Sequence, residues 1–265
     1  MISKNSSFKG SYSTDGFLIV DEQVVPDDLI VRSLQGVKDV LSDTYDRNAP
    51  RCSISAGDER RIQRITQIHH ANNAIFEMLS LGRIGEFVEA ITGVKQAKVW
   101  GSQLYYKPCG SGELGQVGFH CDAQHLSFLE GEVLTAWIPL TDVTIDSGPL
   151  TYINGSHKWG RRYGNSGGEI QDLVAQRRMM QRDFPEREWS ETPVLLKAGS
   201  ISFHHKNTFH GSLVNTSDSD RIAICFGILT EKSQFVDGVD DCGVKEIINN
   251  PSICPILLDK ISSAA

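Results

Sequence analysis

The 265-residue sequence lacks any long hydrophobic run: no stretch approaches the length of a membrane span, and the opening MISKNSSFKGSYSTDG is polar, without the apolar segment of a secretory signal. These absences lead to the expectation of a cytoplasmic protein with no membrane partner. Positive charge is also scarce, with 26 Lys and Arg against 33 Asp and Glu and a formal net charge of −7. That balance argues against a general nucleic-acid binder and favours a small-molecule or protein partner. The six cysteines (Cys52, Cys109, Cys121, Cys225, Cys242, Cys254) include no C-x-x-C pair, so neither a zinc knuckle nor a redox dithiol is indicated, and free thiols are expected. No internal repeat or low-complexity tract stands out. Only the first dozen residues, rich in Ser, Lys and Gly, are expected to be loose, with order beginning near Gly16.

What remains has an ordinary globular composition, 40% hydrophobic and 22% charged, and its length suits one β barrel or sandwich domain covering residues 1–265. Phe17–Val20 reads as a strand. Pro26-Asp27-Asp28 opens a helix to about Tyr45 with Leu29, Val31, Leu34, Val37 and Leu41 as its apolar stripe, and a second helical block between Asn72 and Thr92 ends at a capping Gly93. The part before about residue 95 is thus expected to be mainly helical. From about 97 to 230 the runs KVWGSQLYYK, VGFHCD, VLTAWIPL, PLTYIN, VLLKAG, SISFHH and RIAICFGIL, punctuated by Gly, Pro, Asn and Asp, predict an all-β core. Residues 160–193 interrupt it with a polar, arginine-rich, partly helical insert, read as a lid or outer flap with hinges at Gly160, Gly164, Gly167 and Gly168.

Within that core, Gly118-Phe119-His120-Cys121-Asp122 carries the first chemistry. In an extended chain residues i and i+2 share a face, so His120 and Asp122 offer an imidazole and a carboxylate side by side, two thirds of a facial metal site. Cys121 between them points the other way and serves packing. A later stretch, Ser202-Phe203-His204-His205 through His210-Gly211-Ser212 to Arg221, adds a histidine followed eleven residues on by an arginine (221 − 210).

Together these motifs, with the turn Asp146-Ser-Gly-Pro-Leu-Thr-Tyr-Ile-Asn-Gly-Ser-His-Lys-Trp-Gly160 and the opening DGFLIV, resemble the phytanoyl-CoA dioxygenase family of Fe(II)- and 2-oxoglutarate-dependent oxygenases, from about Trp100 to Thr230. The resemblance implies a double-stranded β-helix, a jelly roll of the cupin-like kind, mainly β with flanking helices. It implies that His120, Asp122 and His210 bind Fe(II), that Arg221 pairs with the distal carboxylate of 2-oxoglutarate, and that Ser212 hydrogen-bonds the same carboxylate. O₂ is then the oxidant and ascorbate a supporting reductant. Such a triad leaves coordination positions for a bidentate oxoacid and O₂, and the arginine fork matches a carboxylate. Gln103 and Tyr105 share a face of the strand before the metal motif, as do Thr135 and Trp137 on the strand after it; family members use such places to hold 2-oxoglutarate or substrate, and ordinary barrel lining is the competing reading. His125 has two readings, facing the substrate or structural. His204 and His205 lack the following Gly-Ser and are not taken as ligands. Lys107 either neutralises a carboxylate or ends its strand in solvent.

The expected activity is hydroxylation, or another oxidation, of a C–H bond in a small metabolite or natural-product intermediate, releasing succinate and CO₂, by a monomer or homodimer. Retention of Asp122 disfavours the halogenating variant of the chemistry. Two alternatives stand: an acyl-CoA hydroxylase, disfavoured by the absence of a basic CoA-binding tract, and a non-catalytic jelly-roll module that binds a metal or ligand.

Overall fold

The computed structural model describes residues 8, 11–47, 52–53, 61–160 and 172–261. Two antiparallel sheets face each other, with helices on the outside of the larger one, a jelly roll as expected. The larger sheet runs β1 (Phe17–Val20), β9 (Ile201–His205), β6 (Leu129–Pro139), β11 (Arg221–Phe235), β4 (Gln96–Lys107), β3 (Gln63–Thr66) and β2 (Cys52–Ser53), with β12 (Ile256–Asp259) also paired to β4. The smaller runs β5 (Val117–His120), β10 (His210–Ser212), β7 (Leu150–Ile153) and β8 (Glu191–Pro193).

Period-2 alternation builds the layers. On β11, Ile222, Ile224, Phe226 and Ile228 enter the main apolar core, whereas Arg221 and Cys225 face the space between the sheets. Helices α1 (Asp27–Leu41), α2 (Asn73–Leu79) and α3 (Gly82–Thr92) close that core from outside with Leu29, Val37, Ile75, Met78, Ile84 and Phe87. Asp27 and Asp28 in the first turn of α1 and Lys38 in its last complement the helix dipole. The ladder between β11 and β4 shifts register after Gly227, where an added Cβ would lie 2.1 Å from Trp100 Nε1. Glycine lets the indole cross there.

Several expectations are corrected. The α1 stripe is rotated: Ile30 and Val40 are buried, while Val31 and Leu41 are exposed. The block from Asn72 to Thr92 is two helices, because Leu81 turns extended (φ −64°, ψ 118°) between them; Gly93 does cap the second in the left-handed region (φ 75°). The first ninety-five residues also hold β1, β2 and β3, and order starts before Gly16, with helical residues 11–15 and a buried Tyr12. VLLKAG is not a strand; the ladder there is Glu191–Pro193. Of the insert, residues 161–171, with Arg161, Arg162, Gly164, Gly167 and Gly168, lie outside the described residues. The remainder forms α4 (Leu173–Asp183), which does have a buried side: Leu173 and Met180 join Phe119, Ile153, Trp159 and Phe209 on the smaller sheet's outer face.

Candidate metal centre

β5 ends at His120, and Asp122 opens the 3₁₀ turn that follows. The two are therefore not on one strand, but Cys121 between them is still extended (φ −118°, ψ 146°), so the i, i+2 geometry survives. Cys121 points away into the outer apolar cluster with Phe119. His210, the first residue of β10, lies directly across the ladder from His120. One ligand atom from each of His120, Asp122 and His210 falls within 4.8 Å of the others.

The hydrogen bonds define which atoms converge. Each imidazole meets a backbone carbonyl two residues earlier, His120 Nδ1 with Gly118 at 2.8 Å and His210 Nδ1 with Thr208 at 3.0 Å. A carbonyl only accepts, so both Nδ1 atoms carry hydrogen and both Nε2 lone pairs are left for a cation. On Asp122, Oδ2 accepts from Thr135 Oγ1 at 2.5 Å and from His204 Nε2 at 3.0 Å. Oδ1 is left facing His210 Nε2 at 3.5 Å. Burial pushes both histidines below the ordinary imidazole range, His210 strongly. Burial alone would raise the Asp122 carboxyl, but the adjoining His204 and His210 hold it well below the carboxylate range. Two neutral imidazoles and one carboxylate, held in their metal-binding forms, suit Fe(II).

The triad sits in a cavity of about 450 Å³, including its open end, lined also by Tyr105, Trp137, His204, Ser212, Arg221 and Cys225. Arg221 is 3% exposed. Its Nη2 donates to the Gly148 carbonyl at 3.1 Å, and its Nε is buried without a partner. No ion pair to it occurs among the described residues, and burial lowers its pKa to about 10, so it stays charged at neutral pH. An unneutralised buried fork is what a carboxylate ligand would complete.

Of the residues named from sequence, His120, Asp122, His210, Ser212, Arg221, Tyr105 and Trp137 thus share one cavity, and Thr135 holds the Asp122 carboxylate. Gln103 is half-buried one step along β4, across from Cys225, and does not line the cavity. His125 is exposed, its ring 6.4 Å from that of His120. The sequence named His204 and Lys107 without their contacts and did not point to Gln176. His204, set aside as a ligand, is instead a partner of the ligand carboxylate, and its Nδ1 faces the Tyr152 hydroxyl at 3.1 Å; the register Thr135↔His204 between β6 and β9 explains both contacts to Asp122. Gln176 of α4 donates to the Phe119 carbonyl and accepts from its N–H, both at 2.7 Å, acting as a strand partner for the free edge of β5. Lys107 is fully buried, not solvated.

Comparison with known proteins bears on family and fold. The sequence profile of the phytanoyl-CoA dioxygenase (PhyH) family matches residues 12–223. The Bos taurus "Phytanoyl-CoA dioxygenase domain-containing protein 1" is 29% identical over 176 residues, 64% of this chain and 58% of its own length. The chain thus matches somewhat over half of that relative. Among solved structures, the non-haem α-ketoglutarate-dependent carbocyclase SnoK from nogalamycin biosynthesis shares the fold at TM-score 0.68 and 22% identity, covering 95% of both chains. The epimerase SnoN, solved with Fe3+, α-ketoglutarate and nogalamycin RO, does so at TM-score 0.69 and 17% identity, over 90% of this chain and 89% of its own. The chain belongs to the phytanoyl-CoA dioxygenase (PhyH) family.

Proposed function

We propose that this enzyme couples oxidative decarboxylation of 2-oxoglutarate, giving succinate and CO₂, to hydroxylation of a C–H bond in a small metabolite or natural-product intermediate. One oxygen atom of O₂ enters succinate and the other enters the product. The observation that carries the reading is the pairing, in one cavity, of three converging ligand atoms with a buried arginine that has no counter-charge among the described residues. A module that merely binds a metal has no use for that second feature.

His120 Nε2, Asp122 Oδ1 and His210 Nε2 would hold Fe(II), which when bound activates O₂. The chain's own contribution is positional. Thr135 and His204 together restrain Asp122 Oδ2, so that Oδ1 keeps its direction toward the cavity. The carbonyls of Gly118 and Thr208 keep the imidazole protons away from it. Arg221, with Ser212, would receive the distal carboxylate and so aim the 2-oxoacid end at the triad, while Tyr105 and Trp137 wall the passage between. Substrate would approach through the cavity's open end.

The test is to incubate the protein with Fe(II), 2-oxoglutarate and O₂ against a panel of metabolites, following succinate and the mass of each candidate. A gain of one oxygen atom matched by one succinate supports the proposal. Tight 2-oxoglutarate binding with no succinate from any member would favour the non-catalytic module.

A further inference from the structure

Lys107 has no role in the scheme above, yet it is 0% exposed. It ends β4 directly across the ladder from Arg221, placing two buried cations side by side, and neither has an ion pair among the described residues. Lys107 Nζ donates to Ser212 Oγ at 2.8 Å, to the Leu213 carbonyl, and to the Gly148 carbonyl at 3.4 Å. The Gly148 oxygen is shared with Arg221 Nη2. Gly148 is left-handed (φ +66°), and a Cβ there would lie 2.6 Å from the Leu213 oxygen, so glycine is required for these carbonyls to close around the ammonium. They satisfy its hydrogens and leave its charge uncompensated.

The Ser212 contact has a direction. In its ammonium form Lys107 only donates, so Ser212 Oγ then accepts from it, and the hydroxyl hydrogen has no acceptor among the described residues. It is left available to a ligand in the cavity that Ser212 and Arg221 both line.

We propose that Lys107 is a positioning residue of the cosubstrate seat: it turns the Ser212 hydroxyl into a donor toward the distal carboxylate of 2-oxoglutarate and adds a second positive charge behind Arg221. This rests on the oxygenase reading. It has a consequence in protons. Burial first, and the Arg221 charge second, hold the Lys107 ammonium well below the usual lysine range. The charged or titratable groups around it are Arg221 on β11, Tyr105 on its own face of β4, and, on the other face, Tyr106 hydrogen-bonded to Asp220, which also binds the Cys109 amide. The strand and loop at Ser212, Leu213 and Gly148 bring it only a hydroxyl and carbonyls. An arriving carboxylate reverses the local charge and favours the ammonium, so binding draws in a proton at pH values between the free and the bound titration of Lys107.

The experiment uses the Fe(II)-loaded protein without O₂, with titration calorimetry from pH 6 to 9 in two buffers of different ionisation enthalpy. Lys107→Met should weaken 2-oxoglutarate about 10- to 100-fold, the worth of a charge-assisted contact, and abolish the proton uptake. Its Fe(II) affinity, by chelator competition, should be unchanged. Pyruvate, which keeps the 2-oxoacid and lacks the distal carboxylate, should bind wild type and variant alike. Lys107→Gln, which keeps a donor toward Ser212 without the charge, should bind 2-oxoglutarate with intermediate affinity and no proton uptake. The double variant Lys107→Met with Ser212→Ala should lose little more than the larger single effect, since one residue acts through the other. Equal 2-oxoglutarate affinity and equal proton uptake in wild type and Lys107→Gln would overturn the proposal. If wild type binds Fe(II) but no 2-oxoglutarate, the oxygenase reading fails and takes the proposal with it.

Discussion

Replacing Arg221 with leucine should make the protein more stable and the cosubstrate weaker, two effects of one cause. The guanidinium is 3% exposed, holds one neutral carbonyl and has an unpartnered Nε. Its fall from 12.5 to about 10 corresponds to about 3 kcal/mol against the charged form in the ligand-free fold. Leucine removes that penalty and fills part of the same volume, while the Gly148 oxygen keeps Lys107 as a donor. Some of the gain is lost to imperfect packing, leaving about 1–3 kcal/mol, and each kcal/mol raises the midpoint by about 2–4 °C in a domain of this size. With 2-oxoglutarate the sign reverses, because two charge-assisted hydrogen bonds at about 1.5–3 kcal/mol each are forfeited, a loss of about 100-fold or more in affinity. Thermal unfolding of the ligand-free protein and anaerobic titration with 2-oxoglutarate read the two effects separately. A lower midpoint with unchanged affinity would show that Arg221 is a structural cation, and the reasoning would fail.

Thr135→Val keeps the shape but removes a donor to Asp122 Oδ2, and should weaken Fe(II) about tenfold by chelator competition; unchanged affinity would reject the restraint assigned to that hydroxyl. Gln176→Leu leaves the β5 edge without its side-chain partner and should speed hydrogen exchange at Phe119 without touching β6. Equal protection would show that the edge does not depend on α4. The ligand-free protein should lose stability as pH falls from about 6.5 toward 4. His69 and His205, lowered by burial to about 3 and about 4, together with the lowered His120 and His210, stay neutral when folded but bind protons when unfolded. The unfolded chain then binds more protons across that window, so stability rises with pH. Asp122, held below its ordinary range, loses its contribution only at still lower pH. A flat melting curve between pH 4 and 7 would contradict this.

The candidate metal centre was legible through one local pair of residues and the family resemblance that supplied His210, Ser212 and Arg221. His120 and Asp122 are two residues apart, and the His210–Ser212 and Arg221 spacing comes with its own strand pattern. What was illegible depends on contacts distant in sequence. β3 is Gln-Arg-Ile-Thr, a polar tetrapeptide that becomes a strand only through its ladder to β4. VLLKAG has a strand's composition, and Val194 and Leu196 are indeed buried, but their backbone makes isolated bonds, Val194 N–H to the Leu150 carbonyl and Val143 N–H to the Leu196 carbonyl, rather than a ladder. Val31 and Leu41 fit a helical period as well as Ile30 and Val40 do, so the side that meets the sheet is decided by tertiary packing. Alternation along β4 places Lys107 on the inner face with Tyr105, but lysine is rarely fully buried, and only the fold shows what surrounds it. His204 was judged solely as a candidate ligand; its contact with Asp122 follows from the pairing of β9 with β6.

The central claim is that His120, Asp122 and His210 form a working Fe(II) centre served by 2-oxoglutarate. The measurement that tests it most directly is succinate release under O₂ by wild type and by Asp122→Ala, each supplied with Fe(II), 2-oxoglutarate and the metabolite panel. Wild type should release succinate, stopping when Fe(II) is chelated, and Asp122→Ala none, although its two histidines still hold some metal. Full succinate release by Asp122→Ala, or none from wild type with Fe(II) and 2-oxoglutarate both bound, would contradict it.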